Sequence, residues 1–225
     1  MQVNAFPTGA FQVNVWLVTD PETGLSALVD TGESPEIVSV LARRSPPPRI
    51  AMILLTHAHV DHAGALAEIQ KTWDVPTMLP ALEREMFASL PTQGLWFNAP
   101  ELNRPCGRID RWLDDGDTVE LGKTTLKFLS TPGHTPGHGC FHDDDDLISG
   151  DLLFAGSIGR TDFPGSDPQA MAHSLMKVME LPKKIRVHSG HGPDSTLEAE
   201  LAHNPFLAHV RRAKGMPEPR RSLWY

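Results

Sequence analysis

Three histidines and one aspartate fall within six consecutive residues, His57-Ala58-His59-Val60-Asp61-His62. Imidazole and carboxylate are the ligands that borderline divalent ions such as zinc take up, so this segment is the first candidate for a metal site. Four more residues of the same types stand in comparable settings. His134 lies in Thr131-Pro132-Gly133-His134-Thr135-Pro136-Gly137-His138, where proline and glycine on both sides predict a tight loop. Asp151 follows Ser149-Gly150, His191 follows Ser189-Gly190, and Asp30 precedes Thr31-Gly32. Singly, each reads as an ordinary polar loop residue. Together they share one setting, the turn after an apolar run, and loops at one rim of a fold can meet in a single cleft.

The apolar runs predict the elements that hold these loops. Residues 50–55 read as a buried strand feeding the histidine cluster. Residues 65–73 read as the helix that follows, with Asp61 and His62 near its N-terminus. Residues 11–19 alternate and pair with 25–29 as a hairpin across Asp20-Pro21-Glu22-Thr23-Gly24. Ser34-Pro35-Glu36 starts a helix running to about residue 44, and 45–48 is a stiff linker. A short strand over 75–79 and a helix over 81–89 follow. Residues 90–107 are broken by prolines and Gly94, yet carry Leu95, Trp96, Phe97 and Leu102. They read as a loop pinned to the core by its aromatics, the alternative being a flap that gives a substrate an apolar wall.

Strand patterns resume at 118–121, 124–130, 139–142 and 147–149. The run Asp143-Asp144-Asp145-Asp146 lacks the spacing and glycine of a calcium loop and reads as a solvated hairpin turn. A capped helix over 167–181, a short strand over 184–187 and a last helix over 196–203, ended by Asn204-Pro205, complete the pattern. Hairpins at both ends with mixed segments between them predict an α/β (α+β) chain. Its two sheets face each other with helices outside, a four-layer αββα sandwich rather than one doubly wound sheet.

The chain of 225 residues, 40% hydrophobic, is read as one domain over 1–210 with a basic tail over 211–225. Its net charge of −8 argues against a nucleic-acid partner. No apolar run is long enough for a membrane span, and no signal peptide is evident at the start. Cys106 and Cys140 make no disulfide framework and read as packed thiols, so a cytoplasmic setting is expected. His138, His142, His173, His188, His203 and His209 are read as structural, His138 and His188 being the nearest to exceptions.

The ordered set His57-x-His59-x-Asp61-His62, His134, Asp151 and His191 resembles the metallo-β-lactamase superfamily over about residues 11–206. The resemblance implies two divalent metal ions, zinc first, with iron or manganese as alternatives. His57, His59 and His134 would hold one, Asp61, His62 and His191 the other, and Asp151 would bridge them. Asp30 would orient the loop from behind. Residues 156–164, Gly190-His191-Gly192-Pro193 and the segment from Thr196 to Phe206 resemble the short, glyoxalase II-like (hydroxyacylglutathione hydrolase-like) hydrolases.

The implied activity is hydrolysis of a small-molecule thioester of the S-(2-hydroxyacyl)glutathione type. A metal-activated hydroxide would be positioned by Asp61 and Asp151 as ligands. A thiol ionises near pH ~8.5 and leaves with little acid assistance. Arg160, Trp96 and Phe97 are the substrate candidates, although Arg160 and Asp162 are also read as a pair that holds its own loop. Gly159-Arg160-Thr161-Asp162-Phe163 also occurs in persulfide dioxygenases, which makes a single-iron dioxygenase the alternative. Other esters or lactones come next. Asp151 counts against lactamase activity. Only about twenty residues follow Asn204-Pro205-Phe206, too few for the helical domain that binds glutathione in long-form relatives, so the thiol is left open. A non-enzymatic metal module is disfavoured, because structural zinc sites are closed and cysteine-rich.

Overall fold

Successive residues of a strand point to opposite faces, and in the central strands both faces are apolar. The computed structural model describes residues 1–213 and Gly215. One sheet runs in order β1 (Gln2–Thr8), β2 (Val13–Thr19), β3 (Leu25–Val29), β4 (Arg49–Leu54), β5 (Thr77–Pro80) and β6 (Arg111–Leu113). The second contains β7 (Thr118–Leu121), β8 (Thr124–Ser130), β9 (Gly139–His142) and β10 (Asp146–Gly150). After the small hairpin β11 (Leu153–Phe154) and β12 (Ser157–Ile158), it is completed by β13 (Arg186–Ser189) and β14 (Ser195–Thr196), in order β14-β13-β10-β9-β8-β7.

Three separate apolar clusters fill three interfaces. Val13, Val15 and Leu17 of β2 pack outward with Ile37, Leu41, Leu66 and Ile69. Trp16 and Val18 of the same strand pack inward against Phe128, Phe141 and Ile148 of the second sheet. Leu147 and Val187 face the other way, onto Met171, Leu175, Leu197 and Leu207. Three interfaces between helix, sheet, sheet and helix make the expected four layers. The outer helices are α1 (Glu36–Ala42), α2 (Val60–Ala63), α3 (Leu66–Ile69) and α4 (Arg84–Ala88) on one side. On the other lie α5 (Pro168–Met179), α6 (Leu197–His203) and α7 (Pro205–Ala213).

Several sequence readings need correction. Of the helix expected over 65–73 only α3 forms, and a separate short turn, α2, precedes it and contains Asp61 and His62. Strands β1, β6, β11, β12 and β14 carry weak or very short patterns and escaped the reading. Asn204-Pro205 ends α6 but also opens α7: Asn204 Oδ1 accepts from the Phe206 amide at 3.0 Å, and proline suits a first helical turn. Arg211 and Arg212 therefore belong to a helix, while Lys214 and residues 216–225 of the basic tail lie outside the described residues. Asp146 is not part of a solvated turn. It is fully buried, accepts two hydrogen bonds from Arg186 at 2.6 and 2.7 Å, and lies 2.8 Å from His188 Nε2. Residues 90–107 are pinned as expected, but by a polar anchor: Gln93, buried, donates to the Ala58 carbonyl at 2.9 Å.

One carboxylate clasps the two sheets at the edge remote from the histidine loops. Asp20, buried in the β2–β3 turn, accepts from the Thr23 hydroxyl and from the Lys123 amide at 3.0 Å and Thr124 hydroxyl at 3.1 Å, both in the β7–β8 turn. The hydrogen bond from Thr23, then that from Lys123, holds its carboxyl well below the usual carboxylate range. A depressed folded pKa contributes stability above the unfolded value of about 3.9 and loses it as pH falls through the folded value. Asp20→Asn is therefore expected to unfold at lower denaturant than the parent at pH 7. The gap should narrow below about pH 4, as read from urea midpoints across pH.

Candidate metal centre

Every loop of the predicted cluster leaves the C-terminal end of a strand. Asp30 follows β3, the His57–His62 segment follows β4, His134 follows β8, Asp151 follows β10, and His191 follows β13. Strands β3 and β4 are parallel, as are β10 and β13, so within each sheet these ends share a rim. Hydrogen bonds then tie the rims together. The Gly139 amide donates to the Thr56 carbonyl at 2.9 Å, and the Asn14 amide to the Gly190 carbonyl at 2.7 Å. Glycines allow the remaining close approach. A Cβ on Gly190 would overlap Asp151 Oδ1, and one on Gly159 would overlap the Asp151 carbonyl.

The seven predicted residues meet. Donor atoms of His57, His59 and His134 lie within 4.8 Å of one another, as do those of His57, His62 and Asp151, and those of Asp61, His62 and His191. Asp151 stands between the sets, with Oδ1 3.3 Å from His62 Nε2 and Oδ2 3.5 Å from His134 Nε2 and 3.7 Å from His191 Nε2. Asp61 Oδ2 is 3.3 Å from His191 Nε2.

The outward ring nitrogens explain which atoms are left to bind. Thr56 Oγ1 donates its single hydrogen to Asp30 Oδ2 at 2.9 Å, so it accepts from His57 Nδ1 at 3.0 Å. His62 Nδ1 donates to Asp30 Oδ2 at 2.8 Å, and His134 Nδ1 donates to the Arg160 carbonyl at 2.8 Å. In a neutral ring each assignment puts the lone pair on an inward-pointing Nε2, the arrangement by which a second hydrogen bond fixes a ligating imidazole. His59 instead turns Nδ1 to within 2.9 Å of His134 Nε2. Since His134 Nε2 carries no hydrogen, a proton or a cation must lie between the two nitrogens. His57 Nε2, His62 Nε2 and Asp151 Oδ1 are buried without a hydrogen-bond partner. Buried polar atoms rarely go unpaired, and this donor set fits divalent cations.

Charge distribution supports the same fit. Burial pushes His57 well below its ordinary pKa and His59 to about 3, so both rings are neutral and their lone pairs free. Burial works against charge at Asp151 and Asp61 as well, yet the neighbouring His62 holds both carboxyls below the usual range. Burial also opposes charge on His62, but Asp151, Asp61 and Asp30 raise it well above an ordinary histidine. The carboxylates that favour a proton on His62 would equally favour a cation at that place, and ligation there would release the proton.

Residues that the sequence reading placed elsewhere complete the frame. Thr56 orients His57. His138, read as structural, is fully buried and accepts the Asp151 amide on Nε2 at 3.0 Å, while Nδ1 meets Thr131 Oγ1 at 2.9 Å. Glu83, buried on the 3₁₀ turn before α4, accepts from the Ala58 amide at 2.8 Å with one oxygen and the Gly137 amide at 2.7 Å with the other. Burial raises its carboxyl pKa. His188 packs on Trp16 at the far side of β13. Of the substrate candidates, Trp96 stands edge-on to the His59 ring at 6.2 Å. Phe97 meets Phe163 at 5.7 Å, and Phe163 meets His59 at 5.5 Å. The Arg160 side chain is paired with Asp162 at 2.6 and 2.7 Å and stacked 3.9 Å from the Phe163 ring centroid. It is the backbone of Arg160 that serves the cluster. Phe163 is the aromatic that sequence reasoning missed, although it stood inside a quoted motif.

The family profile of the metallo-beta-lactamase superfamily matches residues 8–191. A hydroxyacylglutathione hydrolase, GloC, of Haemophilus influenzae is 32% identical over 212 residues, covering 92% of this chain and 98% of its own. The crystal structure of the BLEG-1 B3 metallo-beta-lactamase is similar with a TM-score of 0.83 at 32% identity, over 92% of this chain and 99% of that one. TTHA1623, crystallised in a di-iron-bound form, is similar with a TM-score of 0.78 at 39% identity, over 91% and 100%. Among the described residues, no helix is long and apolar enough to cross a membrane.

Loss of Asp30 tests the frame. Asparagine tolerates the left-handed backbone found there (φ 61°), but it cannot accept from Thr56 and His62 as a carboxylate does. Asp30→Asn is expected to weaken metal retention by about 10–100-fold, measured as metal per chain after dialysis against graded chelator.

Proposed function

The chain belongs to the metallo-beta-lactamase superfamily, and on that footing we propose that it is a dinuclear metallohydrolase cleaving thioesters of the S-(2-hydroxyacyl)glutathione type. The observation that carries this reading is the inward-facing set of bare donors: His57 Nε2, His62 Nε2 and Asp151 Oδ1, buried and without partners in the protein. Three overlapping three-donor groups suit two ions better than one. His57, His59 and His134 would hold the first ion, Asp61, His62 and His191 the second, and Asp151 would lie between them. Two such ions would supply hydroxide at neutral pH and polarise a carbonyl oxygen.

The protein's own groups favour a leaving group that needs no proton. Asp30, Glu83 and His138, the ionisable residues behind the cluster, are all committed to hydrogen bonds within the protein. Arg160 and Asp162 at the rim are committed to each other. A thiolate departs without a proton donor, whereas an amide nitrogen requires one. The comparison with GloC supports the thioester, and the comparison with TTHA1623 keeps iron beside zinc as a candidate metal.

Protein stripped of metal and reloaded with zinc or iron is expected to release thiol from lactoylglutathione, followed with a chromogenic disulfide, while the stripped protein stays at background. Asp151→Asn should lose more activity than the about 10–100-fold expected of a residue that only orients a ligand. Absence of thiol release from fully reloaded protein, or oxygen uptake with glutathione persulfide instead, would overturn this reading.

A further inference from the structure

Beside the metal cluster lies an apolar cavity of about 270 Å³. Leu82, Met86, Trp96, Pro136 and Pro164 supply its apolar wall, and among the described residues its polar side chains are Glu85 and Ser89. Trp96 belongs to both places at once, since it lines the cavity and meets the His59 ring edge-on. Pro136 follows His134 by two residues, and Pro164 adjoins Phe163, which also contacts His59. The cavity therefore shares Pro136 with the His134 loop and touches the His59 ring through Trp96.

The surface around it is unusually apolar for this molecule. Of five large hydrophobic side chains exposed among the described residues, Leu82, Leu95 and Phe97 all lie between residues 82 and 97. Leu82 lines the cavity, and Leu95 and Phe97 flank Trp96 in the chain; exposed apolar side chains gathered in one region, rather than scattered, mark a binding surface. The volume is ample, because an apolar cavity of about 150 Å³ takes up benzene.

Charge decides which part of a thioester belongs there. A glutathione-type thiol carries two carboxylates. The cavity offers a carboxylate, Glu85, and a hydroxyl, Ser89, and among the described residues no cationic side chain lines it. The nearby guanidinium of Arg160 is already engaged by Asp162 and stacked on Phe163. We propose that this cavity is the acyl-group subsite, and that it makes the protein selective for thioesters whose acyl group bears a bulky apolar substituent such as a phenyl ring. The proposal rests on the thioester-hydrolase reading above and adds its substrate class.

Metal-reloaded, full-length protein is assayed with two substrate series. In one the thiol stays glutathione, and the methyl of a 2-hydroxyacyl group is replaced by isobutyl and then phenyl. In the other the acyl group stays fixed and glutathione is replaced by small neutral thiols. From methyl to phenyl, kcat/KM is expected to rise at least about tenfold, the lower bound for one well-placed apolar group, with far less change along the thiol series. Leu82→Ser, at a side chain 67% exposed and so safe for folding, and Trp96→Ala should each reduce the phenyl-to-methyl ratio, chiefly through KM. Independently of turnover, a non-hydrolysable phenyl thioether analogue should change tryptophan fluorescence in the parent and not in Trp96→Phe. A flat acyl series, a preference that follows the thiol, or a ratio unchanged in both variants overturns the subsite and leaves the hydrolase standing. No turnover of any member defeats the hydrolase reading and the subsite with it.

Discussion

The orientation of the histidine loop depends on one buried carboxylate. Asp30 accepts from the Thr56 amide, the Thr56 hydroxyl and His62 Nδ1. Because Thr56 has spent its hydrogen on Asp30, it can only accept from His57. A single buried acid thus decides, directly for His62 and through one hydroxyl for His57, which nitrogen of two imidazoles is bare. Donor direction is otherwise undetermined for a neutral ring, which can carry its proton on either nitrogen. The left-handed backbone of Asp30 is part of the same device. It brings the carboxylate under the next strand's loop instead of letting it follow the strand outward.

The rest of the fold exists to keep five strand ends in register. Within each sheet this follows from parallel pairing. Across the two sheets it follows from backbone contacts at the rim, Gly139 to Thr56 and Asn14 to Gly190, and from the absence of side chains at Gly159 and Gly190. The inter-sheet core of Trp16, Phe128, Phe141 and Ile148 sets the spacing that these contacts need. Packed interiors are dense and shift little, so the donor geometry inherits the rigidity of the sandwich.

Much of this was legible in the chain itself. The seven donors and Asp30 could be read because they follow apolar runs, His57, His59, Asp61 and His62 crowded into six residues and His134, Asp151 and His191 each directly after a glycine. The central strands β2, β3 and β4 could be read because their residues are apolar on both faces. Edge strands β1 and β6 could not: β1 mixes polar and apolar residues without regular alternation and is mostly exposed, and β6 is three residues long, so pairing with a neighbour, not pattern, makes them strands. The single helix expected after the histidine cluster failed because residues 63–65 turn to let the Ala65 amide reach the Gly32 carbonyl. Glu83 gave no local signal, and His138 gave only its place beside the expected cleft. Their importance comes from which backbone amides they meet across the fold, 25 to 54 residues away for Glu83 and 13 for His138.

Glu83 joins two regions that might otherwise be thought of separately. Its two oxygens grip the loop of His57 and His59 and the loop of His134, while its sequence neighbours Leu82 and Met86 form the wall of the apolar cavity. One short turn therefore both ties two of the histidine loops together and carries two side chains of the cavity wall. Occupants of the two places lean on the same few atoms. If a guest in the cavity stiffens that turn and so tightens the grip on the cations, the cations must favour the guest by the same factor, since coupling between sites is reciprocal.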